Sequence, residues 1–203
     1  MRIIAGRHRG REIQAPAGRD VRPTGDRARQ ALFNILEHGA FAAEGSLIAG
    51  QHVLDVFAGT GALGLEALSR GALSATFIEL SPAARRVLAD NIARLGEGDR
   101  ARILTADATR PPVALEPCAL AFLDPPYGSG LASVALPALA DAGWLLQGAL
   151  AVVEIAASEA MTAPTGFAIQ DERRYGAARL VFLRCLKRRC PLHPASRGPP
   201  PPL

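Results

Sequence analysis

The run Asp124-Pro125-Pro126-Tyr127-Gly128 closes an apolar stretch, Leu120-Ala-Phe-Leu123. Proline has no N–H and a fixed φ, so two prolines cannot continue a strand ladder and instead set a rigid, extended turn. That turn carries two acceptors, the Asp124 carboxylate and the Pro125 carbonyl, and then presents the Tyr127 ring. These are the parts needed to alkylate an exocyclic amino group of an aromatic base. The lone pair of such an amine is delocalised into the ring. Two acceptors aimed at its N–H groups favour the pyramidal form, whose lone pair can attack an electrophilic methyl. Tyr127 would stack on the base, and stacking is worth about 1–3 kcal/mol per base.

A second constellation suits a nucleotide-like cofactor. Asp55-Val-Phe57-Ala-Gly59-Thr-Gly61-Ala-Leu-Gly64 spaces its glycines as GxGxxG between an apolar run and a helical pattern. Glycines let a backbone pass close beneath a ligand, and a helix N-terminus offers free N–H groups. Twenty residues after Gly59, Glu79 ends another apolar run and can accept ribose hydroxyls. Asp107 ends a third, where its carboxylate can take an adenine amino group while the Ala108 N–H reaches a ring nitrogen. Phe57, beside the turn, is expected to contact the cofactor. Ligands of open α/β sheets bind at such carboxyl ends. The glycine turn alone serves dinucleotides and S-adenosylmethionine equally well.

Alternating strand and helix patterns must position these groups. Strands are expected over residues 53–57, 75–79, 102–106, 120–123 and 149–155. Helices are expected from the glycine turn to about residue 69, over 82–95 with Ser81 as N-cap and Pro82 at N1, and over 131–142. Residues 167–174 and 179–186 read as a closing hairpin about Gly176. This predicts a parallel sheet with helices on both faces and one antiparallel strand. Ahead of it, residues 2–5 and 12–15 predict a small hairpin around a basic turn. Ala28, Ala31, Leu32, Ile35 and Leu36 then form one helical stripe that leaves Arg27 and Arg29 open to a partner.

The net charge of +4 over 203 residues is unevenly spread. Residues 1–30 carry +5 and residues 184–203 another +5, so the body is acidic. Basic ends on an acidic body suit a polyanion partner. Three cysteines, Cys118, Cys185 and Cys190, give no disulfide framework and point to a reducing compartment. Cys185, Cys190 and His193 would make only a partial zinc site without an evident fourth ligand, and no metal is expected. No signal-peptide apolar region is evident, and the most apolar stretch, residues 145–157, is interrupted by Gln147 and Glu154. A cytoplasmic protein without a membrane partner is expected.

These motifs resemble the class I S-adenosylmethionine-dependent amino-methyltransferases, and most closely the RsmD family of bacterial 16S rRNA (guanine-N2)-methyltransferases. The resemblance covers about residues 1–186. Its most specific part is Met1-Arg-Ile-Ile-Ala-Gly6, Arg9-Gly-Arg11, Arg22-Pro-Thr24, Asp26-Arg27 and Ala31-Leu-Phe-Asn-Ile-Leu36. The glycine turn through Ala72, Glu79, Asn91, Asp107, the Asp124–Tyr127 turn, Glu154 and Arg174-Tyr-Gly176 complete it. Thr60 stands where the family often has Ser, and nothing beyond Leu186 belongs to the pattern.

The resemblance implies a Rossmann-like class I methyltransferase: a seven-stranded, mostly parallel sheet with an antiparallel last strand, helices on both faces, and an N-terminal hairpin and helix. It implies an RNA-facing extension over residues 1–40 and a catalytic domain over 41–186; residues 187–203, basic and ending in a run of prolines, are expected from their composition to form a disordered tail. Asp55, Phe57, Gly59, Gly61, Glu79, Asp107 and Ala108 would bind S-adenosylmethionine, leaving S-adenosylhomocysteine as product. Asp124, Pro125 and Tyr127 would take the base. Arg7, Arg9, Arg11, Arg22, Arg27 and Arg29 would hold phosphates of 16S rRNA or of the small ribosomal subunit, the protein acting as a monomer. The alternatives are a DNA adenine-N6 methyltransferase, for which there is no room for a target-recognition domain, and a nicotinamide-dependent oxidoreductase, which leaves Asp124–Tyr127 unexplained. A non-catalytic binding module is disfavoured because every expected site residue is present.

Overall fold

A computed structural model describes residues 1–15 and 23–187. Arg22, Cys190, His193 and nearly all of the expected tail lie outside the described residues. Within them, seven strands form one sheet: β1 (His52–Val56), β2 (Ser74–Ile78), β3 (Ala101–Leu104), β4 (Cys118–Leu123), β5 (Leu145–Ala156), β6 (Phe167–Tyr175) and β7 (Ala178–Cys185). Their order is β3-β2-β1-β4-β5-β7-β6, and β7 alone runs opposite to all the other strands. The expected sheet is found. Strand β5 begins four residues earlier than its apolar run suggested.

The central strands are apolar almost throughout because both of their faces are covered. Val53, Phe77, Leu120, Phe122, Val152 and Phe182 belong to one core, with helices α1 (Pro23–His38), α2 (Ala62–Ser69) and α3 (Pro82–Leu95) contributing Leu32, Phe33, Leu65, Leu68, Leu88 and Ile92. Leu54, Val56, Ala121, Leu123, Ala151 and Val153 face the second core, closed by α4 (Leu131–Asp141). Helix α3 keeps its expected bounds: the Ser81 side chain accepts from Ala84 N–H, Pro82 occupies the first turn, and Gly96 ends it in the left-handed region. No helix among the described residues is long and apolar enough to cross a membrane.

The N-terminal hairpin reduces to a single antiparallel bridge, Arg2 to Glu12, closed by Gly10 N–H on the Ile3 carbonyl at 2.9 Å. Its stability comes from docking. The fully buried Glu66 carboxylate accepts from Ile4 N–H at 2.8 Å and Ala5 N–H at 3.0 Å, and Ser69 Oγ accepts from His8 N–H at 3.0 Å. Gly6, at φ +77°, is required here because a Cβ would stand 1.9 Å from the Ser69 carbonyl oxygen. Ile3 and Ile13 join the first core, so this arm shares its packing with the sheet.

Helix α1 corrects one expectation. Its buried face includes Phe33 and Arg29, rotated from the stripe read in sequence. Arg29 is only 6% exposed, its Nη2 donating to the Arg2 carbonyl at 2.6 Å and its Nη1 to Met1 Sδ at 2.5 Å. The N-terminal segment lies over that face of α1, so Arg29 holds the arm and is covered from any RNA. Arg27 is exposed as expected.

Candidate active site

Parallel pairing brings the site residues into one row. Leu104, Ile78, Val56, Leu123 and Val153 are in register across β3, β2, β1, β4 and β5. Glu79, Phe57 and Asp124 follow directly at the carboxyl edge, and Glu154, in the same row, lies near the end of the longer β5. The chain order reverses between β1 and β4, the crevice where open α/β sheets bind ligands.

On the β1 side the glycine turn is built for close approach. Gly59 lies at φ +55°, and the nearest atom to an added Cβ is the Phe57 carbonyl oxygen at 3.9 Å, so its face is open to a ligand. Gly64 serves packing instead, since a Cβ there would reach within 2.4 Å of the Phe77 ring. Phe57 takes φ +59°, the one non-glycine residue with positive φ among those described. Such a conformation costs on the order of 1–3 kcal/mol and is characteristic of ligand-holding turns.

The acids are more engaged than their positions in the sequence disclosed. Asp55 is 2% exposed and accepts from Gly64 N–H at 2.8 Å, which fixes the start of α2. Burial, reinforced by Asp124 and Glu79 nearby, pushes its carboxyl up to about 8 against the opposing pull of the Gly64 N–H. Glu79 accepts from Gly59 N–H at 2.8 Å with one oxygen and from Ser81 N–H at 2.7 Å with the other, clasping the turn to the head of α3. A carboxylate offers about four lone-pair sites, so two remain for a pair of ribose hydroxyls. Asp107 lies three residues beyond the end of β3 and is exposed. Hydrogen bonds from the Thr109 hydroxyl and N–H to its Oδ1, at 2.7 and 2.8 Å, hold its carboxyl below the usual carboxylate range. Ala108 beside it is buried. Buried Asn91 is legible in the sequence only as part of a family pattern. Its Oδ1 accepts from Gln14 N–H at 2.8 Å while its Nδ2 donates to the Thr60 carbonyl at 3.0 Å, tying the N-terminal arm to the glycine turn.

On the β4 side, Asp124 N–H donates to the Val56 carbonyl at 3.3 Å, which fastens the Asp-Pro-Pro-Tyr turn to the strand that delivers the glycine turn. Pro125 is buried, Asp124 is exposed and Tyr127 is 47% exposed. Sequence reasoning gives Glu154 and Glu159 no role, yet both reach this turn. Tyr127 Oη donates to Glu154 Oε1 at 2.8 Å, and Gly128 N–H to Glu159 Oε2 at 2.9 Å. In the sequence Glu154 shows only as a charge interrupting the apolar run of β5 and as part of the family pattern, and Glu159 gives no signal. Cys118 is the first residue of β4, at the edge opposite the site, and burial pushes its thiol up to about 12. Among the described residues no group of three or more side chains could hold a metal ion.

The open face at Gly59, with the Glu79 carboxylate bonded to its N–H, suits a ligand carrying hydroxyl groups. The sheet order and this site define a class I methyltransferase. The family model described as conserved hypothetical protein 95 matches residues 1–184. The chain is 38% identical to ribosomal RNA small subunit methyltransferase D of Escherichia coli over 178 residues, 87% of this chain and 85% of that protein. It is 34% identical to the Haemophilus influenzae protein of the same name over 180 residues, 87% of this chain and 89% of the relative. A solved structure of a methyltransferase candidate from Escherichia coli superposes with a TM-score of 0.75 at 36% identity, covering 92% of this chain and 98% of that one. The chain belongs to the RsmD family of methyltransferases.

Proposed function

We propose that this enzyme transfers a methyl group from S-adenosylmethionine to the exocyclic N2 amino group of a guanine in 16S rRNA. One observation carries the reading: the hydrogen bond from Asp124 N–H to the Val56 carbonyl sets the amine-orienting turn against the cofactor turn at the switch of strand order. The relatives named above supply the small-subunit rRNA as substrate class. When bound, S-adenosylmethionine supplies an electrophilic methyl on a sulfonium centre. Glu79 would accept the ribose hydroxyls, Gly59 admits the chain of the cofactor, and Asp107 with the Ala108 N–H would read the adenine. Asp124 and the Pro125 carbonyl accept the amino hydrogens of a base flipped out of its loop and stacked on Tyr127. Guanine fits because its N1–H and N2–H donors are adjacent, so one carboxylate can accept from both. After transfer the alkylated amine is strongly acidic, and its proton leaves to the Asp124 carboxylate and on to water.

Calorimetry tests the cofactor half. S-adenosylhomocysteine is expected to bind and NAD is not, and Glu79→Ala should weaken binding by about 1–3 kcal/mol through loss of a charged acceptor. Heat from NAD and none from S-adenosylhomocysteine would end this reading.

The RNA surface comprises Arg7, Arg9 and Arg11 around the basic turn and Arg27 on α1, all exposed. Arg7 Nε also pairs with Glu97 at 3.2 Å, and Arg11 donates to the Arg94 carbonyl, which leaves further N–H groups on each fork for phosphate oxygens. Neutralising two of these arginines should flatten the dependence of log affinity on log salt by about 0.7–0.9 for each phosphate no longer held. An unchanged slope would show them to be ordinary surface charge.

A further inference from the structure

The Asp-Pro-Pro-Tyr turn sits on an exposed edge, yet its aromatic ring must hold one orientation if a base is to stack in line with the methyl donor. Two carboxylates from one neighbouring segment provide that constraint. Glu154 lies near the carboxyl end of β5, directly beside Asp124 in the cross-strand row, and its Oε1 accepts the Tyr127 hydroxyl at 2.8 Å. Further along the chain, Glu159 accepts Gly128 N–H at 2.9 Å. Glu159 is itself fixed, its N–H donating to the Ala156 carbonyl at 2.9 Å and its own carbonyl accepting from Arg179. The turn is thus clamped at consecutive residues, one through the phenol and one through the backbone.

We infer that Glu154 is a positioning residue of this enzyme, holding the Tyr127 ring as the platform for the target base; this rests on the base-stacking reading above. A half-buried carboxylate interrupting an apolar strand has no packing reason to be there, and it accepts from the phenol of the one aromatic residue in the turn. The ring face supplies stacking, while the hydroxyl supplies orientation. Tyr127→Phe therefore keeps the first and loses the second, and Tyr127→Ala loses both.

Two measurements test this together. The chain has two tyrosines, so protein labelled with 3-fluorotyrosine gives two fluorine resonances, assigned with Tyr175→Phe. Glu154→Ala should move the Tyr127 resonance towards its free-tyrosine position, while Glu154→Gln, which still offers an acceptor, should move it less. In methylation assays, Glu154→Ala and Tyr127→Phe should each lower kcat by about tenfold, the scale of one hydrogen bond to a charged group. S-adenosylhomocysteine affinity should stay unchanged, and Glu154→Gln should recover most of the rate. The double variant should be no slower than either single one. A Tyr127 resonance indifferent to Glu154→Ala, or a double variant whose losses multiply, would overturn the inference. A parent protein that shows the fluorine response but methylates no RNA would instead overturn the functional reading and leave the tether standing.

Discussion

Asp124→Ala is expected to lower methyl transfer by at least about 10²–10³-fold, the loss seen when one pre-aimed group that stabilises a transition state is removed. Its carboxylate is exposed at the end of β4, and its backbone is bonded to β1, so truncation leaves the turn in place. The cofactor site keeps Gly59, Glu79 and Asp107. Affinity for S-adenosylhomocysteine should accordingly change little while kcat collapses, the pattern of an interaction used mainly in the transition state. Single-turnover kinetics beside calorimetry separate the two quantities. Near-parent turnover in Asp124→Ala would remove the amine-orienting role. Cys118→Ser should be silent, because a buried thiol whose ionisation is pushed up to about 12 supplies no nucleophile.

Asp55→Asn should raise the stability of the ligand-free protein at alkaline pH while weakening the cofactor site. The Asp55 carboxyl is pushed from 3.8 to about 8 by burial. Between about pH 4 and pH 8 the folded chain holds a proton that the unfolded chain has released. Stability due to this group is therefore full below pH 4, falls as pH rises through that window, and is flat above it. Each pH unit separating the folded and unfolded ionisations corresponds to about 1.4 kcal/mol, so the total is several kcal/mol. Asparagine still accepts the Gly64 N–H and carries no charge to bury. Urea denaturation at about pH 5, 6, 7 and 8, spanning that window, should show the variant gaining on the parent as pH rises. Parallel curves would contradict this.

Much of the fold is legible in the sequence for a physical reason. Strands buried on both faces must be apolar runs, and glycine and proline punctuate them, so β1, β4 and the turns that follow them stand out one residue at a time. Helix α3 announces its ends through Ser81, Pro82 and Gly96, whose preferences are local. Tertiary contacts leave no such signature. Arg29 falls outside the apolar stripe read in sequence, and it is buried where the N-terminal segment folds over α1. The Glu66 carboxylate reads as an ordinary helix charge until the backbone of Ile4 and Ala5 arrives on it from far along the chain. Glu154 interrupts its strand visibly, but its partner Tyr127 follows the neighbouring strand, and pairing register is not written in either one.

Incubating the protein with methyl-labelled S-adenosylmethionine and either 16S rRNA or small ribosomal subunits, then digesting the RNA and identifying the labelled nucleoside, decides whether this site performs the chemistry its geometry supports. N2-methylguanosine at a single position is the expected product. Label in N6-methyladenine, label transferred to DNA in preference to rRNA, or no transfer to either rRNA substrate would contradict it.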